Sequence, residues 1–305
     1  MAHTIWITGA AGFIGGAAAR HFANDGWRVV GFDRRRPDLS FPTASFHVAP
    51  IEAWILEAAF KALGPPDAVF HGAGTGTVGQ AQAEPDQARS DTVGTTEVLV
   101  TTLSRLAPGC RVVYPSSAAV YGSTNDDPIR EDTATAPISN YGKFKLETEA
   151  VCRTAAEAGR IHIGVVRFFS VYGPGLRKQL PWELGQKLLK GDGSATLFGT
   201  GFETRDFLFI DDAIALIRTL IESPAPGLTI VNGGTGTATT IADFAKLFSS
   251  ALGVSGKIGF SGEVKPGDPR HFRACTKKSA ALGFKPRVQL NDGLKRYADW
   301  IKAEA

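Results

Sequence analysis

Hydrophobic residues in the first half of the chain form short uninterrupted runs, and stretches with helical spacing separate these runs. The runs predict strands over residues 4–8, 27–32, 67–71, 111–114 and 161–168. The stretches between them predict a helix that follows residues 9–16 and runs through Phe22, and further helices over 52–63, 85–106 and 141–158. Strands that are apolar on both faces are typical of parallel sheets covered by helices. The alternation therefore predicts an α/β fold with a doubly wound parallel sheet.

The pattern changes after the Tyr-Gly-Pro-Gly sequence of residues 172–175, where segments shorten and glycine and proline become frequent. Helices are predicted near residues 181–190, 212–222, 240–252, 277–282 and 291–303. We therefore expect a first domain over residues 1–172, to which parts of 200–235 return, and a smaller C-terminal lobe over 173–305. Open α/β sheets bind ligands at the carboxyl ends of their strands, so this lobe is expected to bind the substrate.

Three glycines follow the first predicted strand with the spacing G-x-x-G-x-x-G, at Gly9, Gly12 and Gly15. In such a turn the first glycine permits the tight bend, the second lets the backbone approach a pyrophosphate, and the third lets helix and strand pack closely. Free N–H groups at the start of the following helix can then bind the phosphates. The position between a strand and a helix makes a chance glycine turn the weaker interpretation and predicts a Rossmann-type dinucleotide site.

Asp33 ends the second predicted strand and bears on the choice of dinucleotide. A carboxylate at this position binds the adenosine ribose hydroxyls and repels a 2′-phosphate, which favours NAD over NADP. Arg34 is the opposing signal, because an arginine just beyond this strand can bind a 2′-phosphate. The alternatives are a turn-forming role for Asp33 and a solvated loop for the basic run of residues 34–36.

Tyr141 and Lys145 are four residues apart at the start of a predicted helix, so they lie on one face of it. A nearby ammonium group lowers the pKa of a phenol, which would let Tyr141 exchange a proton with a substrate at neutral pH. Lys145 could also hold the nicotinamide ribose. Ser117 follows the strand over 111–114 and could hydrogen-bond the same substrate oxygen. The alternatives are an exposed helix pair and a serine turn after the strand.

Composition and charge exclude several other classes of protein. The chain has 305 residues, 43% of them hydrophobic, and its net charge of +3 is too small to favour nucleic-acid binding. Cys110, Cys152 and Cys275 lack metal-ligand spacing, so neither a metal site nor a disulfide framework is expected. No apolar run approaches the ~20 residues of a membrane span, and no signal-peptide pattern precedes the first strand. We therefore expect a cytoplasmic protein that does not bind membranes.

Seven short motifs follow one another in a fixed order and are spread over nearly the whole chain. They are TGAAGFIG (8–15), DAVFHGAG (67–74), PSSAAVYG (115–122), YGKFK (141–145), VRFFSVYGPG (166–175), RDFLFIDDA (205–213) and PGDPR (266–270). With these motifs the sequence resembles the extended short-chain dehydrogenases of the NAD-dependent epimerase/dehydratase family, whose best-known member is UDP-galactose 4-epimerase. So many ordered matches specify the family, whereas they do not specify the substrate.

The resemblance implies roles for individual residues. It implies a catalytic triad of Ser117, Tyr141 and Lys145. Tyr141 and Lys145 are also implied contacts of the cofactor. It implies further cofactor contacts from the glycine loop with Phe13 and Ile14, and from Asp33, Ala73 and Phe168. A nucleotide-diphosphate sugar is the implied substrate, and its implied contacts are Ser117, Tyr141, Ser170, Arg205 and Arg270.

Arg205 matches the arginine that binds the diphosphate in this family, and a bidentate guanidinium suits that group. The alternative for Arg205 is a salt bridge with Asp206, Asp211 or Asp212. The resemblance also implies a homodimer that pairs through the helices over residues 86–107 and 141–158.

Departures from the family pattern reduce the number of family reactions that this chain is expected to catalyse. Ala118 and Ala119 stand where the 4,6-dehydratases of the family have an Asp-Glu pair, and dehydration needs that additional acid and base. Ser170, Asp91 and Cys275 replace a frequent Asn, Asn and Asp, which leaves the sugar and the nucleotide open. The implied activity is a nucleotide-sugar epimerase acting at C4. An NAD(P)H-dependent 4-keto-sugar reductase and a non-catalytic dinucleotide sensor are the alternatives.

Overall fold

The computed structural model describes residues 2–37, 43–125, 127–190, 192–263 and 270–304. Its strands are β1 (Thr4–Thr8), β2 (Arg28–Asp33), β3 (Ser45–Val48), β4 (Ala68–His71), β5 (Arg111–Ser117), β6 (His162–Phe168), β7 (Ser170–Tyr172), β8 (Ala195–Leu197), β9 (Thr204–Arg205), β10 (Phe207–Phe209), β11 (Leu228–Gly233), β12 (Thr239–Thr240) and β13 (Ile258–Phe260). Its α-helices are α1 (Phe13–Asn24), α2 (Ala53–Leu63), α3 (Val78–Ala83), α4 (Pro85–Arg89), α5 (Thr95–Leu106), α6 (Asn140–Glu157), α7 (Gln179–Lys190), α8 (Ile210–Glu222), α9 (Ile241–Leu252), α10 (Lys277–Ala281) and α11 (Leu290–Glu304).

Seven strands form one sheet in the order β11-β6-β5-β4-β1-β2-β3. β1 pairs in parallel with both β2 and β4, and all five of its residues are buried. The strand order runs outward in opposite directions from the β1–β4 pair, so the ligand crevice of such a sheet lies at the carboxyl ends of these two strands. The predicted fold class, a doubly wound parallel α/β sheet, is confirmed.

Three local features differ from the elements that the sequence pattern predicts. The sequence pattern does not predict β3, because this strand contains no apolar run. Its residues are half-buried or exposed. The helix over 85–106 is divided into α4, a π-helical segment at Ser90–Gly94, and α5. β5 continues three residues beyond Tyr114, so Ser116 and Ser117 belong to the strand itself.

The chain divides into two compact units. The first unit comprises Met1–Gly122, Ala134–Arg167 and Ile214–Val231, and it holds most of the large sheet. The second unit comprises Ser123–Thr133, Phe168–Ala213 and Asn232–Ala305. Within the second unit β7 pairs in parallel with β10, and a cluster of fully buried rings forms part of the core: Tyr172, Phe244, Phe248 and Tyr297. Across the described part of the chain, no helix combines the length and apolarity needed to cross a bilayer.

Candidate active site

The turn between β1 and α1 requires glycine at the predicted positions. Gly9 has φ +65°, and a Cβ there would lie 2.5 Å from the carbonyl carbon of Gly72. A Cβ on Gly15 would lie 2.1 Å from the carbonyl oxygen of Gly9, so the loop would have to open. Gly12 is the N-cap of α1 and no side chain caps this helix. The first-turn N–H groups of α1, which include the half-buried Phe13 and Ile14, therefore suit a bound phosphate.

Asp33 lies at the end of β2 beside this glycine loop. Its Oδ2 accepts a hydrogen bond from the backbone N–H of Ala11 at 3.0 Å, and its Oδ1 accepts one from the N–H of Arg35 at 3.0 Å. The bond from Arg35 forms the turn that is the alternative role of Asp33. The bond from Ala11 holds the carboxylate against the glycine loop. A glycine cradle with a fixed carboxylate at the end of the next strand fits a dinucleotide such as NAD.

A buried histidine anchors the loop that contains Ala73. Nδ1 of His71 lies 2.7 Å from Oγ1 of Thr8, and Nε2 lies 3.0 Å from Oγ1 of Thr96. The Thr96 hydroxyl donates to the carbonyl oxygen of Thr92, so it accepts from Nε2–H, and Nδ1 accepts from the Thr8 hydroxyl. Thr8 Oγ1 in turn accepts from the N–H of Ala73 at 3.1 Å. Burial lowers the pKa of His71 to about 3, which keeps the ring neutral and this chain of bonds intact.

The three candidate catalytic side chains converge where β5 ends and α6 begins. Ser117 is the last residue of β5, and its hydroxyl accepts from the N–H of Ala119 at 3.2 Å. Tyr141 lies in the first turn of α6 and is hydrogen-bonded to Ser117. Nζ of Lys145, one turn further along α6, lies 5.7 Å from the centre of the Tyr141 ring. Lys145 is buried, so the alternative of an exposed helix pair is wrong for it, whereas the serine turn coexists with the contact to Tyr141.

The electrostatic environment of Tyr141 differs from the sequence expectation. Burial raises the pKa of Tyr141 and outweighs the opposing effect of its hydrogen bond with Ser117. Lys145 is held by β5, because its Nζ donates to the carbonyl oxygen of Pro115 at 2.8 Å and lies 4.7 Å from the centre of the Tyr114 ring. In this arrangement the ammonium group does not outweigh the effect of burial on the Tyr141 pKa.

A buried ion pair lies behind the triad. Nη2 of Arg167 donates to Oε2 of Glu149 at 2.7 Å, and the two side chains are only 6% and 4% exposed. The hydroxyl of Ser116 donates to Oε1 of Glu149 at 2.6 Å, and Nη1 of Arg167 donates to the Tyr121 hydroxyl at 3.0 Å. The Glu149 charge and hydrogen bonds outweigh burial and raise the pKa of Arg167, so the guanidinium stays charged. The pair links β5, α6 and β6 at the end of the sheet that carries the triad.

Three of the candidate substrate contacts, Ser170, Arg205 and Arg270, lie in the second unit. The N–H of Ser170, at the start of β7, donates to the carbonyl oxygen of Asp206 at 2.9 Å. Arg205 is half-buried and its Nη1 donates to the carbonyl oxygen of Thr204 at 2.9 Å. The N–H of Thr204 donates to the carbonyl oxygen of Arg270 at 2.9 Å, and the Arg270 side chain is exposed. The backbones of the three candidates therefore meet around β9, and of the motif over 266–270 only Arg270 is among the described residues.

The three aspartates considered as partners of Arg205 are bound by other groups. Asp211 pairs with Arg296 at 2.8 Å, and Asp212 accepts two backbone N–H groups at 2.9 Å each. Asp206 is fully buried and accepts four hydrogen bonds, from backbone N–H groups and a hydroxyl of Thr235, Gly236 and Ala274. Each of the three carboxylates therefore has partners of its own among the described residues.

Comparison with known families decides which group of proteins this site belongs to. The model of the NAD dependent epimerase/dehydratase family matches residues 5–234. The chain belongs to this family. It is 30% identical over 317 aligned positions to the UDP-glucose 4-epimerase of Mycolicibacterium smegmatis, and the match covers 97% of each chain. The family assignment drawn from the sequence motifs is confirmed, and NAD is the cofactor of the family.

Solved structures of similar proteins have the same fold. MoeE5 in complex with UDP-glucuronic acid and NAD has a TM-score of 0.90 and 27% identity, over 99% of this chain and all of that one. TunA, an NAD-dependent NDP-hexosamine 5,6-dehydratase involved in tunicamycin biosynthesis, has a TM-score of 0.86 and 27% identity, over 99% and 98% of the two chains. A 4-epimerase and a 5,6-dehydratase thus both match this chain over nearly its whole length, and its own residues must discriminate between the two reactions.

The fold brings three polar residues that the sequence motifs do not predict as site residues close to the triad and the cofactor loop: His71, Glu149 and Arg167. Each carries a local signal. Arg167 interrupts an otherwise apolar strand, His71 ends one, and Glu149 follows Lys145 by one helical turn. A polar side chain in an apolar strand must find a buried partner, and a search for those partners would have linked Arg167 to Glu149.

Proposed function

We propose that this protein is an NAD-dependent epimerase that inverts C4 of a nucleotide-diphosphate sugar. The observation that carries the proposal is the convergence of Ser117, Tyr141 and Lys145 in the same unit as the glycine cradle and the fixed Asp33. The similarity to a UDP-glucose 4-epimerase over nearly the whole chain supports it. Ala118 and Ala119 offer no second acid or base beside the triad, which disfavours a dehydratase.

Tyr141 is the proposed acid–base group of the reaction. NAD, when bound, supplies a reversible hydride acceptor, which converts the C4 alcohol into a ketone and back. Tyr141 accepts the proton of the C4 hydroxyl as that carbonyl forms and returns it when the alcohol is restored on the other face. With the sugar bound, the Ser117 hydroxyl donates its single proton to the same oxygen instead of to Tyr141. Burial raises the pKa of Tyr141 and therefore disfavours the phenolate. The positive charge of Lys145 and, when it is bound, that of the oxidised cofactor act in the opposite direction and favour the phenolate.

The second unit is proposed to hold the nucleotide diphosphate. Arg205 and Arg270 are the proposed partners of its phosphates, since guanidinium groups bind phosphate oxygens in a bidentate manner. The four hydrogen bonds to Asp206 support this role, because they fix the backbone next to Arg205. Ser170, whose N–H is bound to the Asp206 carbonyl, is the proposed sugar contact.

The first test is to denature the purified protein, identify the dinucleotide that it releases, and then incubate fresh protein with UDP-glucose or UDP-glucuronic acid. We expect tightly bound NAD and a product epimerised at C4, without added cofactor, because the reaction regenerates its own oxidant. Release of no dinucleotide, together with NADPH-dependent reduction of a 4-keto sugar, would replace the epimerase proposal with a reductase. Binding of NAD without turnover of any nucleotide sugar would favour a dinucleotide sensor.

A homodimer and a cytoplasmic location belong to the same proposal. α5 and α6 pack side by side, and α6 exposes small or charged positions such as Ala150 and Arg153. We expect light scattering to give twice the chain mass, and Ala150→Arg to give the monomer, because a long charged side chain would not fit a closely packed helix interface. A wild-type monomer would contradict the dimer.

Free Cys110, Cys152 and Cys275 support a reducing compartment.

A further inference from the structure

Arg34 is held by a carboxylate that lies far from it in the sequence. Its Nη1 lies 3.1 Å from Oδ1 of Asp91, and its Nη2 lies 2.7 Å from Oδ2. This is the bidentate geometry in which a guanidinium also binds a phosphate. The Arg34 side chain is 60% exposed, whereas that of Asp91 is 14% exposed. The long, exposed arginine is thus the adaptable member of the pair.

Asp91 is fixed independently of Arg34. It lies in the π-helical segment Ser90–Gly94 between α4 and α5. Its Oδ1 accepts a hydrogen bond from Nε2 of Gln87 at 2.8 Å, and its backbone carbonyl accepts one from the Thr95 hydroxyl at 2.6 Å. The carboxylate therefore has support besides Arg34, and it is the group against which the Arg34 side chain is held.

The environment of Asp33 explains why the position of Arg34 matters. Both carboxylate oxygens of Asp33 are held by backbone N–H groups, so this charge cannot turn away from an approaching 2′-phosphate. Only a cation could make such a phosphate acceptable. Arg35 is a second cation of the basic run over residues 34–36, with its Nε 4.0 Å from Oδ1 of Asp33 and a largely exposed side chain. Arg34 is the guanidinium whose phosphate-binding edge a carboxylate already covers.

We propose that Asp91 is a specificity-determining residue that enforces the preference for NAD over NADP by engaging Arg34. Asp91 occupies the Nη1–Nη2 edge of Arg34, one of the edges at which a guanidinium binds a phosphate, and its own charge adds repulsion for a 2′-phosphate. The sequence contains two opposing signals, Asp33 for NAD and Arg34 for NADP, and Asp91 cancels the second. This inference rests on the proposed dinucleotide site at the glycine loop.

The test is isothermal titration of nucleotide-free protein with NAD⁺ and with NADP⁺. In Asp91→Asn, which keeps the size of the side chain but removes its charge, the dissociation constant for NADP⁺ should fall about 5-fold, while that for NAD⁺ changes less than about two-fold. Adding Arg34→Ala to Asp91→Asn should return the NADP⁺ constant to the wild-type value. Adding Arg35→Ala to Asp91→Asn, as a matched control, should leave most of the gain in place.

Each other outcome has a distinct meaning. An NADP⁺ constant in Asp91→Asn that equals the wild-type value, with NAD⁺ binding intact, would overturn the role of Asp91. A gain that Arg35→Ala removes and Arg34→Ala does not would also overturn it, because the responsible cation would be a different one. Failure of the wild-type protein to bind either dinucleotide would refute the dinucleotide site, and this inference with it.

Discussion

Replacing Tyr141 by phenylalanine is expected to lower kcat for epimerisation by roughly 10²- to 10⁴-fold, the contribution typical of a positioned acid–base group. The phenyl ring fills the same half-buried place in α6 and the variant loses only the hydroxyl that is bonded to Ser117. Steady-state kinetics with the nucleotide sugar measure the effect. Titration with NAD⁺ should give a dissociation constant within a few-fold of the wild-type value, which separates chemistry from binding.

The pH dependence offers a control for this assignment. Burial raises the pKa of Tyr141, and the hydrogen bond with Ser117 acts in the opposite direction. The deprotonated phenol is the active base, so kcat/KM, which reports the enzyme without substrate, should rise with pH, and Ser117→Ala should move that rise to higher pH because it removes the lowering contribution. A Tyr141→Phe variant that keeps the wild-type kcat would show that another group takes the proton.

The elements that carry the site could be predicted because their signals are local. β1 is a five-residue apolar strand, the glycine spacing follows it directly, and both predictions agree with the structure. Tyr141 and Lys145 required only that α6 begin near residue 140, where Ser139 caps the helix by accepting from the N–H of Gly142. In each case the neighbouring residues decide the backbone conformation, and one sequence window contains them all.

The remaining features depend on contacts between distant segments. Arg34 and Asp91 are separated by 57 positions, and no periodicity in the sequence connects them. The direction of the Tyr141 pKa also could not be predicted, because it depends on how deeply the ring is buried and on the contact of Lys145 with Pro115. Pairwise geometry and desolvation are properties of the folded chain, and the hydrophobic pattern carries no information about them.

Replacing Arg167 by methionine is expected to destabilise the protein by about 3–5 kcal/mol, the usual cost of removing one partner from a buried ion pair. Glu149 would remain enclosed without its guanidinium partner, with the Ser116 hydroxyl still donating to it. Differential scanning calorimetry measures the effect as a fall in Tm. The control is Arg130→Met, because Arg130 and Asp132 form a comparable bidentate pair that is more than 60% exposed, and its loss should leave Tm unchanged.

A double variant separates the stabilising role of this pair from its positioning role. In Glu149→Met with Arg167→Met neither charge of the pair is left, so Tm should recover much of what Arg167→Met loses. Recovery should be incomplete, because the hydroxyls of Ser116 and Tyr121 lose their partners. Since Ser116 precedes Ser117 in β5, we expect Arg167→Met to lower kcat as well, and kcat should stay low in the double variant even where Tm recovers. Recovery of both quantities would mean that the pair only stabilises the fold, whereas recovery of Tm alone would show that it holds the end of β5 in place for the reaction.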